Sequence, residues 1–347
     1  MKHRCILALL LVIMGACRKS TAPAGGSSQH DKIQLTVTAP ETGYIYLDGA
    51  YTGVQAPGSI AVTSGKHVVG VTLRNSWQYL RKESNVTAAT TMNFTAADKP
   101  APKVWKALWI GLYETKGITS SGECSTHFSQ ADLNMGYDFF QWSLRQHFEK
   151  YAYNTIHWET VRKDITLPVT LTRSPGGNFT VEPSAIAALM PEIQPGAYDC
   201  VFVFWRESEG TCSFKSNYFG LAWTNPLRES IKTGYVTIKF DAAASLADRI
   251  SYYKTNDPGV WLHEWLHTVG ENFYQDKGLQ LPRKAGDGLT VHAAEMYNYV
   301  FPWMDWYRDF MAGTVVNTGG TPLYLGIGPE AMLGCSLREK AAATCQD

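Results

Sequence analysis

One group of side chains in this sequence has the types and the spacing to do chemistry: His263-Glu264-Trp265-Leu266-His267. On a helix, residues four apart lie one turn apart on the same face. His263 and His267 can therefore present two imidazoles to one zinc ion, each through a neutral ring nitrogen. Glu264 follows the first histidine directly, which sets it to take a proton from attacking water rather than to bind the metal. The flanking residues supply the helix. Asp257 can cap its start and Pro258 suits its first turn. Val260, Trp261, Leu262, Trp265, Leu266 and Val269 give it apolar surface to bury. The bland alternative is a pair of core histidines on an aromatic-rich helix, but two imidazoles and a carboxylate buried there would all need partners.

Two ligands hold zinc poorly, and a catalytic site normally has three protein ligands and one open position. The next metal-competent stretch is Asp287 to Tyr299, where His292 and Glu295 are three apart. His292 is favoured as the third ligand because it follows an Asp287-Gly288 loop where the chain re-enters the domain. Glu295 is the alternative, and Glu271, Asp276 and the residues after Pro302 are the reserve. Tyr299 can serve as a donor to a transition-state oxyanion, although a core tyrosine is the more ordinary role. His127, His147 and His157 are distant and lack ligand spacing. A Gly-x-Ser-x-Gly nucleophile elbow is absent. Cys124 and Cys212 could act as thiol nucleophiles, but exported cysteines are more often bridged.

The run His263 to Gly270 resembles the zincin metallopeptidases. The resemblance implies an α+β, zincin-like catalytic domain over residues 104–347, a zinc cofactor, protein or peptide substrates, and hydrolysis by activated water with Glu264 as general base. The residues match the first part of the metzincin pattern, which then breaks, since Phe273 stands where a third His or Asp belongs. In gluzincins the third ligand is a glutamate on a later helix, which is what Glu295 would be. Their usual flanking pattern is absent. Tyr235 to Phe240 alternates Tyr, Thr and Lys against Val, Ile and Phe, and is read as a strand with one buried face. It resembles the edge strand on which zincins hold extended substrate.

The elements that must position these residues are legible more coarsely. Lys106 to Tyr113 and Asp199 to Trp205 read as strands. Asp132 to Tyr153 carries apolar residues at helical spacing and reads as a long amphipathic helix. Residues 32–97 alternate in short strands punctuated by turns at Asp48-Gly49 and Ser64-Gly65. Gly43-Tyr44-Ile45-Tyr46-Leu47-Asp48-Gly49, then Ala56-Pro57, then Gly65-Lys66-His67-Val68-Val69 resemble a PEGA-type β-sandwich module, which implies a surface module that spaces or binds. Asp98 to Lys103, with Pro100 and Pro102, reads as a linker.

The first residues bear on location. Lys2 and Arg4, the apolar run Cys5 to Ile13, and Met14-Gly15-Ala16 before Cys17 have the order of a secretory signal. The small residues before Cys17 resemble a bacterial lipobox. They imply cleavage there, lipid on the Cys17 thiol, and anchorage in the cell envelope, surface or periplasm facing. A plain signal peptide is the alternative. Residues 1–17 are the signal, and residues 18–31, rich in Ser, Gly, Ala and Pro, read as a flexible tether. Lys+Arg and Asp+Glu both number 31, so nothing suggests a nucleic-acid partner. Of the remaining cysteines, Cys200 with Cys212 and Cys335 with Cys345 would close short loops. The rival to a peptidase is a surface adhesion or scaffold protein with a structural or degenerate zinc site. A carbohydrate-binding surface protein is a third, weaker reading.

Overall fold

In the computed structural model, residues 32–240 and 245–345 are described. The signal, Cys17 and the tether lie outside them. No helix among the described residues is long and apolar enough to cross a membrane. Residues Lys32–Asp347 form one compact unit.

The N-terminal β region holds two sheets. One has four strands in the order Ala50–Ala56, Gly43–Leu47, Gly65–Leu73, Gln78–Val86; the other places Ile33–Thr38 between Gly58–Val62 and Thr90–Asn93. Leu35, Val37, Ile45, Val69, Val71 and Leu80 are fully buried between them. Asp48-Gly49 forms the tight turn of the hairpin between Gly43–Leu47 and Ala50–Ala56, both residues having positive φ. The outward tyrosines dock this region on the rest of the molecule. The Tyr46 hydroxyl donates to the Ala312 carbonyl at 2.7 Å, and the Tyr79 hydroxyl donates to Glu330, which also accepts from Arg81. A buried phenol requires such a partner, so these bonds fix where the region sits.

The larger part is mixed α/β. Its main sheet runs Ile156–Ile165, Lys103–Leu112, Cys200–Arg206, Gly234–Phe240, Gly220–Ala222. The first four strands are parallel and the last is antiparallel. Both faces are covered, as parallel strands require. Trp105, Trp109, Phe202, Phe204, Val236 and Ile238 point into the core shared with the helices, whereas Leu108, Ile110, Val201, Val203 and Tyr235 pack into a second core on the other face.

Three expectations change. The strand at Tyr235 to Phe240 is not an edge strand with one buried face: all of Gly234–Phe240 is buried, with neighbours on both sides. Its Lys239 mimics an exposed position, but it is paired with Glu207. On this side the sheet ends at Gly220–Ala222, too short to show a period. Cys200 does not pair with Cys212. It opens the central strand, and seven extended residues carry the chain about 20 Å away before it turns. Cys212 instead bridges Cys124, with Cα atoms 5.7 Å apart, and Cys200 stays buried and free. The Cys335–Cys345 bridge is present. The helix expected over Asp132 to Tyr153 starts at Gln130 under a Ser129–Asp132 capping box and passes at Leu144 into a π-helical stretch ending at Glu149.

Candidate metal centre

The motif lies on the helix Val260–Thr268. Its Trp261, Leu262, Trp265 and Leu266 are fully buried, so packing fixes the rotation of the helix and turns His263, Glu264 and His267 toward a cleft of about 500 Å³. Asp257 does not cap this helix. It ends the preceding one, Leu246–Asn256, and Gly259 holds the cap position. A Cβ at Gly259 would stand 2.7 Å from the Tyr307 ring, so glycine there lets Tyr307 approach.

The structure brings His263, His267 and His292 together: one ligating atom from each lies within 4.8 Å of the other two. The Nε2 atoms of His263 and His267 are 3.3 Å apart. Two nitrogens on a tetrahedral zinc with ordinary bond lengths would be separated by about 3.3–3.4 Å. The donor set and this spacing therefore fit a metal ion.

The other ring nitrogens point to partners. His263 Nδ1 is 2.9 Å from the Tyr307 hydroxyl and His267 Nδ1 is 3.0 Å from Glu271 Oε1. With Nδ1–H donating in each case, Nε2 keeps its lone pair for a metal. Such outer partners set the tautomer and ring orientation of metal-binding histidines. Glu271 also accepts from the backbone N–H groups of Thr290 and Val291 at 2.7 and 3.1 Å. One buried carboxylate thus ties the motif helix to the segment that carries His292. Trp306 secures the same segment through its indole N–H to the Val291 carbonyl. His292 is half-buried, with Nδ1 3.9 Å from Asp287.

Burial, reinforced by repulsion from His267 and His292, holds His263 well below the usual imidazole range, and burial lowers His292 too. Both favour the neutral, ligating form. Burial raises Glu264 to about 7, against the attraction of His267 and with a small push from Asp257. Glu264 lies under the edge strand, where a Cβ at Gly220 would come within 2.5 Å of its side chain.

Other anticipated residues lie elsewhere. Glu295 is exposed and outside the cluster. Tyr299 does not line the cleft, and its hydroxyl donates to Asp309 at 2.8 Å. Phe273 is buried against Trp105, and Asp276 is exposed. Tyr307, Gly220 and Gly259 had no signal in the sequence. Glu271 had one, because it continues the histidine face four residues past His267. No family model matches this chain, and no curated protein matches it.

Proposed function

We propose that this protein is a zinc-dependent peptidase, exported and lipid-anchored at Cys17, whose catalytic part has a zincin-like arrangement. The observation that carries the reading is the convergence of three imidazoles beside a carboxylate from the same helix, in a cleft bounded by the edge of a sheet. His263, His267 and His292 would hold zinc, which when bound supplies a Lewis acid and acidifies a coordinated water. Glu264 accepts a proton in the cleft and returns it to the leaving amine. Its raised pKa suits that exchange, and a cation at the histidines favours its ionised form. Gly220–Ala222 is the short antiparallel edge beside Glu264, able to pair with an extended peptide backbone. Tyr307 and Glu271 keep the two motif histidines in the ligating tautomer.

The test is metal content and turnover of the purified protein. One zinc per chain and hydrolysis of a peptide library, abolished by chelation and restored by zinc, are expected. Glu264→Gln should keep the zinc and lower turnover about 10²–10⁴-fold. Full turnover in that variant removes Glu264 as the base. One tightly held zinc with no hydrolysis moves the protein to the scaffold reading.

A further inference from the structure

The cleft holds a second carboxylate that the proposed reaction does not use. No Lys or Arg is among the residues lining it, whereas Asp257 and Glu264 both are. Asp257 is half-buried, and burial alone lifts it to about 6, with no cation or hydrogen-bond donor offsetting the lost hydration. A carboxylate taken from water without a partner is costly. A cation arriving with the substrate would offset that cost. The surrounding walls point the same way. Tyr218, Phe219, Phe301 and Trp303 line the cleft, and Phe301 is 61% exposed at its rim. Aromatic faces attract ammonium and guanidinium groups and disfavour carboxylates. A divalent ion at the histidines would not satisfy Asp257, which lies outside the ligand cluster; its charge would only favour the ionised carboxylate.

We propose that Asp257 receives the positive group of a peptide substrate, a Lys or Arg side chain or a free α-amine, lodged between these aromatic walls. This rests on the peptidase reading of the same cleft and names its substrate class.

The experiment uses the zinc-loaded full chain and internally quenched peptides of one sequence. Arg, Lys, norleucine or Glu is placed in turn at each position flanking the cleaved bond, with the N-terminus free or acetylated. The best cationic peptide should exceed its norleucine counterpart in kcat/KM by about 10- to 100-fold, the worth of one charged hydrogen bond. Asp257→Asn should collapse that ratio with zinc content unchanged, and Asp257→Glu should restore part of it. A preference that acetylation abolishes assigns the cation to the α-amine, and one that survives assigns it to the side chain. Equal cleavage of all peptides, or a ratio that survives Asp257→Asn, overturns the inference and leaves the peptidase reading standing. If no peptide is cleaved, fluorescence anisotropy with C-terminally labelled Arg and norleucine peptides, each with the N-terminus free or acetylated, decides. Cation-selective binding lost in Asp257→Asn upholds the assignment of Asp257 to a positive group although the peptidase reading has failed. Unselective binding, or none, overturns it.

Discussion

Two helical segments in this molecule carry buried histidines and both include a π-helical stretch, Leu144–Glu149 and Val269–Phe273, yet the histidines have opposite settings. His147 lies in the stretch Leu144–Glu149, wedged between Trp142 and Tyr151, and neither of its ring nitrogens has a hydrogen-bond partner. His263 and His267 have Nδ1 partnered, by Tyr307 and Glu271, and Nε2 turned toward a shared point. Burial is common to both regions and does not distinguish them. What distinguishes the candidate pair His263 and His267 from a core histidine is the Nδ1 nitrogen, held by a neighbour so that the two Nε2 atoms face each other. His147 is the aromatic filler that the bland reading of the motif would have required.

That contrast can be broken in two places. The larger effect belongs to His147, whose pKa burial lowers from 6.5 to about 4. The unfolded chain takes up the proton first as pH falls, so stability is whole above about 6.5, declines as pH falls below that, and the loss is complete once pH passes below the folded value of about 4. The full shift corresponds to about 3 kcal/mol. Urea unfolding of the metal-free protein at pH 7 and pH 4.5 should show that loss reduced in His147→Leu, with zinc affinity unchanged. A variant with wild-type acid sensitivity, or with weakened zinc, would show that His147 is not inert filler. The smaller effect belongs to Glu271. Glu271→Gln keeps the shape but loses the charge that orients His267, and zinc titration should show affinity falling about 10- to 100-fold. An unchanged affinity would mean that the partner on the second nitrogen does not distinguish the two settings.

The sequence was informative where a local rule sufficed. Residues three or four apart on one helix share a face, so His263 with His267, and Glu264 with His267, fall together without knowledge of the fold. Turns at Asp48-Gly49 and strands of unbroken apolar residues, such as Cys200 to Trp205, are equally local. What failed depended on distant partners. Tyr235 to Phe240 alternates like a half-exposed strand, but Glu207 neutralises its Lys239 inside the fold. Cys200 and Cys212 are close in sequence and are separated by the length of a strand. Asp257 has the side chain of a helix cap but closes the preceding helix. Tyr307 reaches His263 across 44 positions, and no spacing rule could have announced it.

The proposed three-histidine centre depends most directly on His292. Zinc titration with a competing chelator, on the wild-type chain and on His292→Ala and Glu295→Ala, measures this. One zinc should bind the wild type, Glu295→Ala should match it, and His292→Ala should lose more than the roughly 100-fold that an outer partner is worth. A Glu295→Ala variant that loses zinc while His292→Ala keeps it, or no loss in either, would contradict the three-histidine centre.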